Sequence, residues 1–193
     1  MTCSKSDSDS ISIAAETLRK GGVAILPTDT VYGFSGIVDC PGKKAFCTEK
    51  RIREIKGRSE TKPFIQLISS PDEISRFSDE TMPEELLRLW PGPLTVILKL
   101  KTGESTAFRC PGDEWLRRVI ESCGSPIYST SVNRSGKPVL RSIQDIRREF
   151  EGEVDLIVDD GDTGESLPST IVKIEDGRIL TVRQGALKIE ATV

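Results

Sequence analysis

Residues 170–183 read TIVKIEDGRILTVR, two β-rich runs flanking Asp176-Gly177, a pair suited to the positive-φ positions of a type I′ turn. An antiparallel hairpin here restricts the fold, because the chain before it alternates helical and extended patterns. A purely parallel sheet has no place for it. The pattern therefore predicts a single α/β domain with a twisted mixed β-sheet flanked by helices. At 193 residues the chain is long enough to bury one core.

Apolar spacing predicts a helix over 10–20, N-capped by Ser10 and stopped by Gly21-Gly22, then a strand over 23–26. A helix over 43–55, a strand over 64–68 and a short helix over 71–77 follow. Pro83 opens a further helix and Pro91 ends it. Next come a strand over 94–100, a capped helix over 113–123 and a strand over 126–128. Ser142 with Asp145 resembles a capping box for a helix to Phe150, and residues 156–158 read as a strand. Residues 1–9 are polar and are expected to form a flexible tail, leaving 10–193 as the domain.

The absence of histidine removes Ser-His-Asp, Cys-His and His-ligated zinc chemistry. The five cysteines show no CxxC spacing, which points to reduced thiols rather than a disulfide framework. No apolar run reaches the length of a membrane span, and the first residues lack the apolar stretch of a signal peptide. A cytoplasmic protein is the expectation. The net charge of −3, from 27 basic and 30 acidic residues, and the 5% of aromatics argue against a dedicated nucleic-acid coat.

Four polar clusters sit at the ends of predicted strands: PTDTVYG at 27–33, KGRSETK at 56–62, STSVNRSG at 129–136, and PST at 168–170 with RQG at 183–185. Hydroxyls, glycines and guanidinium groups in this mixture suit an anionic ligand. No Walker A loop and no GxGxxG is present, so cations must carry the phosphate binding. Lys56, Arg58 and Lys62 fall within seven residues and form a candidate polyphosphate clamp, or else a solvated basic loop. Asp29 fits a metal ligand or a turn cap. Arg109 fits a buried partner for carboxylate or phosphate, or an edge charge, and Arg183 carries the same two readings.

Taken in order, PTDTVYG, KGR with KPF, WPGPLT, STSVNRSG, PST and RQG resemble the motifs of the YrdC-like family, the threonylcarbamoyladenylate synthases. The resemblance covers about residues 10–187. It implies that threonine's amine captures bicarbonate and that the resulting carbamate attacks the α-phosphate of ATP, with Mg²⁺ on the triphosphate. It further implies a catalytic set of Lys56, Arg58, Ser131 and Asn133. Arg58, Lys62, Ser105, Ser131 and Arg183 are the implied ATP ligands, and Thr30, Leu67, Arg109, Ser129 and Ser169 the implied threonine ligands. This chain departs from the pattern in a longer 36–56 stretch, in SVN for SAN, in Gln184 for proline and in Val139 at a usual hydroxyl position. It resembles the short form, which relies on separate proteins to transfer threonylcarbamoyl to tRNA. The competing expectations are a double-stranded-RNA-binding module and a YciO-like paralogue without synthase activity.

Overall fold

The computed structural model describes residues 1–40, 42, 44–57, 63–175 and 178–189. The strands are β1 (Thr2–Ser4), β2 (Ala24–Leu26), β3 (Gly33–Ile37), β4 (Ile65–Leu67), β5 (Leu94–Lys99), β6 (Ser105–Arg109), β7 (Ile127–Ser131), β8 (Leu156–Asp159), β9 (Thr170–Glu175) and β10 (Arg178–Arg183). They form one sheet in the order β1-β8-β2-β3-β7-β4-β6-β5-β9-β10. Parallel pairs (β1 with β8, β2 with β8, β4 with β6, β5 with β9) alternate with antiparallel ones, so the sheet is mixed. The hairpin β9–β10 closes the order as expected. Its Asp176-Gly177 turn lies outside the described residues.

The sheet is covered on both faces, as the strand composition requires. On β2, Ala24 and Leu26 enter one apolar cluster and Ile25 the other. Neighbouring β8 splits the same way, Leu156 and Val158 against Ile157. Helices α1 (Ser10–Arg19) and α4 (Glu114–Cys123) bury Leu18, Leu116 and Ile120 on the first face. Helices α2 (Thr48–Lys56) and α5 (Ile143–Phe150) bury Ile52 and Phe150 on the second. A third cluster gathers Trp90, Leu94, Phe108 and Val172 beside the short α3 (Glu84–Leu87) and the 3₁₀ turn Pro71–Arg76. No helix among the described residues is long and apolar enough to cross a membrane.

Several sequence expectations need correction. Residues 1–9 are not a tail: Thr2–Ser4 pair in parallel with β8, and Lys5 bridges Asp113 and Asp160 at 2.6 and 2.8 Å. A short polar edge strand carries no apolar signal to reveal it. Ser10 is the first helical residue rather than the N-cap, which is Asp9; its hydroxyl donates to the Lys5 carbonyl. The helix expected from 43 begins only at Thr48. The Asp39 carboxylate accepts the Phe46 and Cys47 N–H groups, and Cys47 takes a left-handed φ of 55°, which stops the helix from extending backward. Ser142 is the N-cap but makes no side-chain capping bond, and Asp162 Oδ1 accepts the Ile143 N–H of the first turn.

Candidate functional site

The antiparallel strand β3 was not foreseen, and it reshapes the reading of STSVNRSG. Ser129 pairs with Ser35 on one side and Ile65 on the other, so the hydroxyl run continues β7 instead of forming a loop. Ser129, Thr130 and Ser131 at the end of β7 line one cavity of about 260 Å³. Thr30, Arg109, Ser169 and Arg183 line the same cavity, with Val31, Ile65, Val139 and Ile171 supplying apolar wall. Six of the expected site residues thus converge from five separate segments.

Each wall is built locally. The Thr28 and Thr30 hydroxyls, two positions apart after β2, meet at 3.0 Å. Thr28 Oγ1 donates to the Val31 carbonyl and accepts the Thr30 N–H. Its hydrogen is therefore spent, and in the pair it is Thr30 that donates. Thr30 Oγ1 also accepts from Arg109 Nη1 at 3.0 Å. At Gly33 a Cβ would stand 2.8 Å from Ser129 Oγ, so glycine keeps that hydroxyl open to the cavity. No protein hydrogen bond to Ser129 Oγ exists among the described residues.

Arg109 ends β6 and is 5% exposed. Its Nε donates to the Gly92 carbonyl at 3.1 Å, Nη1 to Thr30 and Nη2 to Asp29 Oδ1 at 2.5 Å. Asp29 also accepts the Gly112 N–H at 3.0 Å, so it serves as the arginine's partner. Of five guanidinium N–H groups, Arg109 retains two for a ligand.

Arg183 ends β10. Its Nε and Nη2 donate to the Ser169 carbonyl at 3.2 and 2.7 Å, and it forms no ion pair among the described residues. Burial first, and then the positive Arg109, push the Arg183 guanidinium below its ordinary pKa. Two cations facing one cavity in this way favour an anion between them. PST and RQG are stapled together, since Thr170 Oγ1 accepts the Gly185 and Leu187 N–H groups at 3.0 Å. A Cβ at Gly185 would lie 2.2 Å from the Pro168 carbonyl oxygen, so only glycine fits.

Lys56 has a different place from the one expected. It is 3% exposed, and its ammonium donates to the Ser131 carbonyl at 2.5 Å, the Asn133 carbonyl at 2.9 Å and Asn133 Oδ1 at 3.0 Å. Three donors meet three acceptors behind the cavity wall, with the Phe34 ring 5.2 Å away. Ser131 Oγ donates to Asn133 Oδ1 at 2.8 Å, and Asn133 Nδ2 holds the Arg134 and Lys137 carbonyls. Lys56 and Asn133 thus brace the loop that carries Ser131.

Besides Lys56 and Asn133, two further expected residues do not line the cavity. Ser105 lies exposed at the opposite end of β6 from Arg109. Leu67 is in the first core cluster with Leu26 and Ile127, because its strand position points into the sheet's packed face. Arg58 and Lys62 lie outside the described residues. Sequence reasoning missed the apolar wall residues Ile65 and Ile171, whose strands read only as core, and the pairing of Asp29 with Arg109 across 80 residues.

The Sua5/yciO/yrdC family model, described as telomere recombination, matches residues 16–185. The chain belongs to this family. Among its Sua5/YciO/YrdC relatives, a Pyrococcus abyssi threonylcarbamoyl-AMP synthase is 34% identical over 93% of this chain. A putative threonylcarbamoyl-AMP synthase of Methanocaldococcus jannaschii is 32% identical over 90% of this chain and 84% of its own length. The crystal structure of P. abyssi Sua5 complexed with L-threonine superposes with a TM-score of 0.80, at 32% identity over 92% of this chain and 54% of that one. That of E. coli YciO gives 0.77, at 25% identity over 96% and 94%. The chain spans about half the length of the P. abyssi synthase, 55%.

Proposed function

We propose that this protein is a threonylcarbamoyl-AMP synthase, joining L-threonine, bicarbonate and ATP into threonylcarbamoyl-AMP and pyrophosphate for tRNA modification. The observation that carries the reading is the convergence of Arg109 and Arg183 on one hydroxyl-lined cavity whose described lining holds no carboxylate. A relative of the same fold is named for this reaction, and a solved Sua5 structure carries L-threonine.

In this reading the two open N–H groups of Arg109 take the threonine carboxylate. The remaining lone pair of Thr30 takes a donor on the amino acid, and Ser129 completes that end. Arg183 and Ser131 face the phosphate end. Catalysis is positioning and charge neutralisation, which needs no histidine and no covalent intermediate. Hydroxyl oxygens without carboxylates suit a Mg²⁺ ion that arrives on the triphosphate and keeps its waters. When bound, that ion supplies neutralisation of phosphate charge. Acceptance of the product by separate transfer proteins, and a cytoplasmic site of action, belong to the same proposal. A concave cavity of this size admits small molecules and does not favour an RNA-binding module. Ser131 and Asn133, both held in place, favour the synthase over a YciO-like role.

The test is incorporation of labelled bicarbonate into a nucleotide product with ATP, Mg²⁺ and L-threonine. Label in an adenylate that requires L-threonine supports the assignment. No label in any nucleotide contradicts it.

A further inference from the structure

Thr95 on β5 is fully buried, and among the described residues its hydroxyl touches one partner, Ser169 Oγ, at 2.8 Å. A buried hydroxyl hydrogen left without an acceptor costs about 1–3 kcal/mol, so the Thr95 hydrogen goes to Ser169. Arg183 Nη2 donates to the same oxygen at 3.2 Å. Both lone pairs of Ser169 Oγ are then filled, and its own hydrogen has no protein acceptor among the described residues. Ser169 lines the cavity, whereas Thr95 does not.

We propose that Thr95 is a positioning residue that fixes the Ser169 hydroxyl as a one-way donor toward the cavity. This corner then takes an acceptor oxygen, of the carboxylate or carbamate class, and rejects an ammonium or a neutral donor. Thr30 has the opposite polarity, since its hydrogen goes to Thr28 and a lone pair remains open. Ser169 thus offers a donor and Thr30 an acceptor to the same cavity, which restricts how the acceptor and donor atoms of an amino acid are placed. A threonine at 95 is suited to this task because its methyl fills the dry strand interface while its hydroxyl has one place to go.

The inference rests on the synthase reading for its ligand but not for its hydrogen bond, and the experiment separates the two. Thr95→Val keeps the shape and removes the donor, Thr95→Ser keeps the donor, and Ser169→Ala removes the acceptor. L-Threonine affinity by calorimetry should fall about fivefold or more in Thr95→Val, a loss of about 1 kcal/mol, and return to within about twofold of wild type in Thr95→Ser. On the Ser169→Ala background, Thr95→Val should weaken binding no further. Wild-type affinity in Thr95→Val, or equal weakening by Ser and Val, overturns the proposal.

Urea unfolding of the wild type, Thr95→Val, Ser169→Ala and the double variant reads the bond without any ligand. Thr95→Val should lower stability in the wild type but not in Ser169→Ala, where the Thr95 hydrogen is already orphaned. Equal losses in both backgrounds overturn the bond. Proton NMR reads its direction: the Thr95 hydroxyl should exchange slowly and the Ser169 hydroxyl fast, and the reverse order overturns the polarity. If the wild type binds no L-threonine while the unfolding cycle shows the coupling, the bond stands and the synthase reading falls.

Discussion

Asp29 Oδ1 accepts a hydrogen bond from Arg109 Nη2 at 2.5 Å, and the two residues are 80 positions apart. The contact ties the bend after β2 to the end of β6 and holds the Arg109 guanidinium in the cavity wall. Asp29→Asn keeps an acceptor for the Gly112 N–H but leaves the buried Arg109 without its counter-charge. The variant should lose up to about 3 kcal/mol of stability and bind L-threonine about tenfold more weakly. Calorimetry and denaturant unfolding check both. Unchanged threonine affinity would remove Asp29 from the site.

Lys56 was expected in a polyphosphate clamp and in the catalytic set. The geometry predicts otherwise. Lys56→Met strips three acceptors of their partner, and should cost at least about 3 kcal/mol together with a turnover loss of tenfold or more. A variant as stable as wild type with impaired turnover would return Lys56 to direct contact with substrate.

Gly185→Ala forces a Cβ into the backbone of Pro168 and Ser169. The displacement moves Arg183 and Ser169 together, so activity should drop by about a hundredfold, near 2.7 kcal/mol in barrier, while the distant core stays folded. Near-normal turnover in this variant would show that the PST and RQG pairing is not needed for the site.

Tyr32 is buried, and its hydroxyl donates to the Gly161 carbonyl and accepts the Asp160 N–H, both at 2.8 Å. Burial, against the opposing Asp160 N–H and with nearby carboxylates, pushes its phenol up to about 12. An unfolded tyrosine ionises near 10, so between about pH 10 and 12 the folded state holds the extra proton and stability falls as pH rises, by at most about 1.4 kcal/mol per pH unit. Below pH 10 the contribution is complete. Tyr32→Phe should be less stable at neutral pH and show a shallower alkaline decline, read by urea unfolding across pH 8–12. Parallel curves for both proteins would contradict the assignment.

The regular parts of the fold were legible where apolar spacing spoke: α1, α4, β5 and the closing hairpin stand close to their expected places. Three of the four expected clusters supply residues to the cavity, because hydroxyl and cationic residues followed the ends of apolar strands. What escaped was set by tertiary partners. Strand β3 carries two glycines that no propensity favours, and it exists because β2 and β7 pair with it. Lys56 looked like a surface cation because its three acceptors lie 75 and 77 residues away. Thr95 looked like an ordinary strand residue because its role depends on Ser169, 74 positions on.

The most direct test of the account is pyrophosphate release from ATP and Mg²⁺, measured with neither, either or both of L-threonine and bicarbonate, in the wild type and in Arg183→Ala. The account predicts release only when both co-substrates are present, and at least about a tenfold loss in the variant. Release that ignores threonine, or no release under any condition, would contradict it.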